Sequence, residues 1–388
     1  MSEQNKQVPR LRFPGFTDAW VKCTFEDLGI ITAGGDVNKK GLLLSGNYPV
    51  LANALNNDGI IGYYDDYKVS APAVTITGRG NIGHAKARKI SYTPTVRLIS
   101  LEPFNSDVDF LENLINTNNF FVESTGVPQL TGPQFGHFEV ILPKREEQTK
   151  IGKFFQHLDN LITVNERELN KLKNLKKSYL EKMFPKNGSN IPELRFPGYT
   201  DAWVKCELGD VAEIVGGGTP STSILEYWNG EINWYSPVEI GNQIYVSSSQ
   251  NKITKLGLEK SSAKILPAYK TILFTSRAGI GNTAIMTTNG ATNQGFQSLV
   301  IKEKTDLYFL YSISSKIKEM ALQIASGSTF LEISGKSLSS LEILVPNFEE
   351  QTKIGKFFQH LDNLITVNER ELKKLKELKK SYLNDMFV

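Results

Sequence analysis

Apolar residues step by four and three through the longest helix-forming stretch of the chain, Glu146–Phe184. One column runs Phe155, Ile162, Leu169 and Met183, and another runs Ile151, Leu158, Leu172 and Tyr179. This spacing is a heptad seam, interrupted by Asn165 and Lys176. Pro143 stands upstream, Glu146 and Glu147 open the run, and Lys171, Lys173, Lys176 and Lys177 load its end. That polarity matches the helix macrodipole. The whole pattern returns 203 positions later at Glu349–Phe387, behind Pro346 and with the same interruptions at Asn368 and Lys379. Only four positions differ: Asn170/Lys373, Asn174/Glu377, Glu181/Asn384 and Lys182/Asp385. All lie off the two columns. A helix of about 39 residues is roughly 58 Å long and cannot bury its seam within its own length. Its twin is the obvious partner, because two unrelated core helices would not match so closely. The pairing seam is read as Ile151, Phe155, Leu158, Ile162, Asn165 and Leu172, with Ile354, Phe358, Leu361, Ile365, Asn368 and Leu375 in the copy. Asn165 and Asn368, polar on that seam, are expected to set its register.

The repeat is larger than the helix. LRFPGFTDAW at Leu11–Trp20 returns as LRFPGYTDAW at Leu194–Trp203, an offset of 183. Thr77, Arg79, Ile82 and Gly83 align with Thr275, Arg277, Ile280 and Gly281 at 198. Gly132, Phe135, Phe138, Ile141 and Pro143 match Gly335, Leu338, Leu341, Leu344 and Pro346 at 203. The chain is therefore two halves of one plan, with copied ends and diverged middles, and Lys186–Asn190 is a polar linker. In the middles, Ala73–Thr77, Val96–Ser100, Thr271–Thr275 and Gln297–Ile301 read as short strands. Ser106–Phe121 and Asp306–Ser326 read as helices, the second stopping at Gly327. These patterns predict compact α+β domains.

At 388 residues the chain is too long for one ordinary core. Its net charge of +3 does not demand a nucleic-acid partner, although a local basic surface is compatible with it. No apolar run is long enough to span a bilayer, and the polar opening MSEQNKQ does not read as a signal peptide. Cys23 and Cys206 sit at equivalent points of the repeat, as inherited twins suited to a reducing cytoplasm. Two Cys and four His without ligand spacing do not form a zinc site, and no metal ligands are assigned.

No catalytic constellation stands out. A Walker loop, HExxH, GxSxG and a Cys–His pair are all missing, and no catalytic residue is assigned. Gly78–Gly83 carries the glycines of a dinucleotide fingerprint without a helix behind it. The shared Thr-x-Arg-x-x-Ile-Gly loop is the best candidate for contact chemistry. An arginine there can offer two parallel donors to a phosphate or a guanine edge. Around it the first half places Thr77, Arg79, Asn81, His84, Lys86, Arg88 and Lys89. The second half places Thr219, Thr275, Ser276, Arg277, Asn282, Asn293 and Gln294, of which Asn282, Asn293 and Gln294 offer amides of the kind that read adenine. From spacing alone, a structural turn with an exposed arginine accounts for the loop equally well.

Taken together these features resemble the specificity (S) subunit of type I restriction-modification systems, the HsdS family. The carriers are the duplicated LRFPG(F/Y)TDAW, the stretch Gly217–Ser221 followed by Tyr227–Trp234, Thr292–Phe296, and the Pro-x-x-Glu-Glu-Gln-x-x-Ile helix starts at Pro143 and Pro346. The first half has Gly34–Asn38 in place of the Thr-Pro-Ser stretch, so its recognition domain looks like a different subtype. The resemblance implies two target-recognition domains, 1–145 and 187–348, joined by two long conserved helices, 146–186 and 349–388. It implies that the helices pair as an antiparallel coiled coil with a pseudo-two-fold internal repeat. It further implies a non-catalytic host-defence subunit whose domains each read one half of a bipartite, asymmetric site in double-stranded DNA. The helices would set the spacer and dock two modification (methyltransferase) subunits, with restriction (translocase-nuclease) subunits completing the complex. S-adenosylmethionine, ATP and Mg are then expected on those partners, with no cofactor on this chain, no membrane contact and a cytoplasmic location. Two other readings compete: a coiled-coil adaptor that never touches DNA, and an autonomous nuclease.

Overall fold

The structure is a computed structural model that describes residues 8–120, 127–186, 188–241, 243–277, 279–327 and 331–388. The chain divides into two compact units, Met1–Glu168 with Glu369–Val388, and Leu169–Asn368. Both cuts fall inside a long helix, Arg145–Lys182 or Phe348–Met386.

The first unit is built on a four-stranded antiparallel sheet in the order Gly29–Ala33, Leu98–Pro103, Ala73–Thr77, Ala85–Arg88. A smaller sheet joins Ile60–Tyr64, Tyr48–Leu51 and Thr93–Pro94. The strand expected from Val96 starts two residues later, because Arg97 sits at φ 73°, outside the extended region. The helix expected from Ser106 is Val108–Thr117, capped by Asp107, whose side chain accepts from the Asp109 and Phe110 amides. Phe121, its expected end, lies outside the described residues.

The second unit repeats this sheet as Ala212–Gly216, Gln297–Ile301, Thr271–Phe274 and Thr283–Met286, and adds the parallel edge strand Tyr245–Val246. A second sheet joins Asn251–Ile253, Trp228–Tyr235 and Gly290–Thr292. The single helix expected over Asp306–Ser326 is two, Leu307–Ser312 and Ser314–Ile324, broken at Ile313. It ends at Ala325, which turns extended, and not at Gly327.

The copied ends of each half have a common purpose. Arg12 forks onto Glu147 at 2.8 and 2.7 Å and donates to the Asp18 carbonyl at 2.8 Å. Arg195 does the same with Glu350, at 2.9 and 2.6 Å, and with the Asp201 carbonyl at 2.8 Å. Bidentate pairs of this kind fix angle as well as distance. Next in sequence, Gln148 donates to the Pro143 carbonyl and accepts from the Asp107 amide; Gln351 repeats both bonds with Pro346 and Asp306. The LRFPG and Glu-Glu-Gln motifs are thus two sides of one clamp on the start of each long helix.

Within each unit the two helices run antiparallel. In the first, Phe154 meets Tyr382 at 5.0 Å between ring centroids, Asp159 meets Lys379 at 2.5 Å, and Glu166 meets Lys376 at 2.6 Å. In the second, Tyr179 meets Phe357 at 4.9 Å and Lys176 meets Asp362 at 2.5 Å. Ile151, Phe155 and Leu158 are buried in the core of the first unit, beside Trp20, Phe110 and Val140 as well as the far helix's Met386 and Phe387. Ile354, Phe358 and Leu361 repeat this in the second unit beside Trp203, Phe309, Met183 and Phe184. The seam therefore packs on the globular core and on the twin together. Ile162, Leu172, Ile365 and Leu375 are only half-buried.

The expectation for Asn165 and Asn368 needs correction. Each amide donates to its own helix, at the Leu161 and Leu364 carbonyls, both at 2.9 Å. The seam interruptions that cross to the twin are Lys176 and Lys379. Their pairs are unequal: the Asp362 side chain is 5% exposed and also accepts from Tyr308, whereas Asp159 is 40% exposed. Burial, with Asp362 beside it, pushes the Tyr308 phenol far up, so it stays a donor. Lys176→Met, which leaves Asp362 buried without its cation, is expected to cost about 3 kcal/mol. Lys379→Met at the exposed pair is expected to cost about 1 kcal/mol or less. Equal losses in chemical denaturation of the two variants would contradict this.

Candidate functional site

In the first unit, strands Ala73–Thr77 and Ala85–Arg88 are joined by the glycine-rich turn. Gly80 and Gly83 take φ of 79° and 81°, a region that favours glycine, and no helix follows. Thr77 is buried; its hydroxyl donates to the Asn81 carbonyl and accepts from the His84 amide at 3.0 Å. It holds the turn from inside and is not an outward contact, contrary to expectation. Asn53 clamps the turn from the other side. It accepts from the Gly78 amide and donates to the Arg79 carbonyl, each at 2.8 Å. Arg79 is half-buried, and its guanidinium has no ion-pair or hydrogen-bond partner among the described residues. Asn81 and His84 are exposed.

The expected basic cluster is largely neutralised from within. Arg88 donates to the Thr75 hydroxyl and the Asp58 carbonyl, both at 3.0 Å, and lies 3.6 Å from the Asp58 carboxylate. Lys86 is 3.8 Å from the same carboxylate, and Lys89 is 2.5 Å from Asp109. Charges that the fold has already paired add little to a free basic surface.

In the second unit, Thr275 and Ser276 are fully buried, and Thr275 repeats the role of Thr77 on Gly279 and Asn282. Both are therefore removed as contacts. Asn282 is occupied by Lys318 at 3.1 Å, and the Asn293 side-chain oxygen caps the Gly295 amide at 2.8 Å. What the structure brings together is Arg277, Gln294 and Thr219. The Arg277 guanidinium donates to the Gln294 carbonyl at 2.9 Å, and the Thr219 hydroxyl donates to the Gln294 side-chain oxygen. Thr219 and Gln294 are exposed. Glu332 stands 3.9 Å from the Arg277 Nε.

Asn53, Gln129 and Glu332 were missed in the sequence. The Gln129 backbone pairs with that of Arg79 in an isolated antiparallel β-bridge, and at the offset of 203 that aligns the helices its twin is Glu332. Carried three residues upstream of Gly132, that offset would have found the pair.

Both long helices also carry exposed apolar residues in matching sets. They are Leu161, Val164 and Leu378 in the first unit, and Leu364, Val367 and Leu175 in the second. Among the described residues no cluster of three His, Cys, Asp or Glu is arranged to hold a metal, and no helix is long and apolar enough to cross a membrane.

Two copies of an arginine-bearing loop, each on a diverged sheet beside a nearly identical helix, make a pattern that can be compared with known proteins. The type I restriction modification DNA specificity domain matches residues 17–174 and again 200–377. The chain belongs to this family. Both halves of a type I specificity chain are thus recognised separately, including the first half with its Gly34–Asn38 variant. Over 190 residues it is 35% identical to the type I restriction enzyme MjaIX specificity subunit of Methanocaldococcus jannaschii, covering 48% of this chain and 44% of that one. Over 164 residues it is 31% identical to the EcoR124I/EcoR124II specificity subunit of Escherichia coli, covering 40% of each. The matched part thus spans less than half the length of either relative. A type I restriction-modification S subunit from M. genitalium shares the fold, with a TM-score of 0.68 at 16% identity over 98% of this chain and 99% of that one.

Proposed function

We propose that the chain is the sequence-specific DNA-binding specificity subunit of a type I restriction-modification complex, without catalysis of its own. Residues 1–145 and 187–348 are the two recognition domains, each reading one half of a bipartite, asymmetric site. The helices 146–186 and 349–388 set the spacer and present the same docking surface twice, to two methyltransferase subunits, with the restriction subunits completing the assembly. S-adenosylmethionine, ATP and Mg belong to those partners. The observation that carries this reading is the division of the repeat: copied clamp and helices, diverged loops. Copied surfaces suit two identical partners, and diverged loops suit two different half-sites.

Base-specific contacts need donors free to leave the protein. Arg79 and Arg277 meet that condition better than the neutralised lysines or the buried threonines. Arg79→Ala and Arg277→Ala are each expected to weaken or relax recognition of one half-site by ~1–3 kcal/mol. Modified bases are mapped genome-wide in cells carrying the chain with its methyltransferase partner. A split motif is expected, with degeneracy appearing in a different half for each variant. An unchanged motif in both variants would remove the two arginines from recognition, and unsplit or absent modification would remove the proposed function.

A further inference from the structure

The two arginine loops are flanked by twin residues of different charge. Leu130 and Ile333 occupy one repeat position; both are buried and reach the loop by the same bond. The Leu130 amide donates to the Gly78 carbonyl at 2.7 Å, and the Ile333 amide donates to the Ser276 carbonyl at 3.0 Å. That bond sets the preceding residue beside the loop arginine. In the first unit it is Gln129, exposed and paired with Arg79 backbone to backbone in an isolated antiparallel β-bridge. In the second it is Glu332, whose backbone is also tied to Ser326 by a pair of bonds at 3.0 and 3.1 Å. Its carboxylate lies 3.9 Å from the Arg277 Nε, and both side chains are well exposed, at 46% and 38%. An exposed pair of that length contributes little to folding. Its consequence lies in what else approaches the arginine.

We infer that position 129/332 is a specificity-determining position that sets how much of the loop arginine's charge is offered to DNA. This rests on the DNA-binding reading above. Glu332 occupies one edge of Arg277 and repels a phosphate that would otherwise take it, so non-specific backbone contact is disfavoured. The remaining donors are kept for a ligand group that reaches them from outside. Gln129 is the amide counterpart. It carries no charge, and it leaves Arg79 with its full attraction for phosphate. Both domains carry the arginine, and this residue makes one domain permissive and the other discriminating.

The swap Glu332→Gln, and its reverse Gln129→Glu, are tested in the full chain assembled with its methyltransferase subunits. Affinity for a duplex of random sequence is measured across a salt series. Glu332→Gln is expected to tighten binding about two- to fivefold at low salt, an advantage that shrinks as salt rises. Its log–log salt slope should steepen by up to about 0.9, one more phosphate contact. Gln129→Glu is expected to shift both quantities the other way. In an Arg277→Ala background, the gain from Glu332→Gln should shrink to the small effect of removing one surface carboxylate. A silent swap in a complex that binds DNA would overturn this inference alone, as would a gain undiminished without Arg277. A wild-type complex with no salt-dependent binding would overturn it together with the proposed function.

Discussion

Deleting Met386–Val388, the last three residues, is expected to unfold the first unit and leave the second as it was. The second long helix leaves the second unit and ends in the core of the first. Met386 and Phe387 are nearly fully buried there. The Phe387 ring lies 5.3 Å from Phe110, 5.8 Å from Phe155 and 6.5 Å from Trp20. Truncating a buried Met or Phe costs about 2–5 kcal/mol each, through lost transfer energy and the cavity left behind. Together that approaches the roughly 5–15 kcal/mol that holds an ordinary domain folded. Amide hydrogen exchange resolves the two units. Protection should collapse around Val74, Ile99 and Leu111 and persist around Ile272, Leu299 and Phe309. Loss confined to the second unit would contradict the assignment. The twin control is Phe184→Ala, whose ring packs on Trp203, Phe309 and Phe358, and which should weaken the second unit instead.

Where each helix tip docks could not be read from periodicity. The heptad columns of Glu146–Phe184 announce a long helix in search of a partner, and the near-identical copy names that partner. Neither says which end meets which core, because an apolar column is silent about direction. Both ends of the repeat nevertheless converge. The Leu11 amide donates to the Asp385 carbonyl at 2.7 Å, and the Leu194 amide donates to the Lys182 carbonyl at 2.9 Å. One repeat unit is thus closed by the polar linker, and the other by the two ends of the chain.

The seam asparagines illustrate a second limit. A polar residue at a heptad position can cross to its partner or fold back on the carbonyl one turn earlier. Asn165 and Asn368 take the second course, and Lys176 and Lys379, long enough to reach across, take the first. In the glycine-rich turns the arginine stands out in the sequence, and the structure holds it half-buried. The threonine two residues earlier was not legible as its internal brace, since one hydroxyl suits either face. The basic run after Arg79 looked free because Asp58 and Asp109, which pair with it, are distant in sequence. Contacts made through space erase what composition promises.

Arg12→Ala is expected to destabilise the first unit by about 3–5 kcal/mol, the usual cost of stranding one partner of a buried ion pair. Only 2% of the Glu147 side chain is exposed, and both of its oxygens are taken by Arg12. Without the guanidinium that carboxylate is left buried with no cation to pair with. The Glu147 hydrogen bonds and neighbouring charge hold Arg12 above its ordinary pKa against the opposing effect of burial. Removing both charges is a different matter. Arg12→Met with Glu147→Leu leaves nothing buried and unpaired, and should recover most of the loss. The Asp18 carbonyl then gives up one donor, so recovery should stop short of complete. The same series on Arg195 and Glu350 should repeat the result in the second unit, where the geometry is the same to within about 0.1 Å. Chemical denaturation of the two singles and two doubles decides the matter. If a single variant costs no more than its double, the clamp is held by the packing of Phe13 on Phe154 and of its twin Phe196 on Phe357, and the fork adds nothing. If the doubles recover, the duplicated arginine and glutamate are retained for angle. A fork of that kind fixes the angle at which each long helix leaves its own domain.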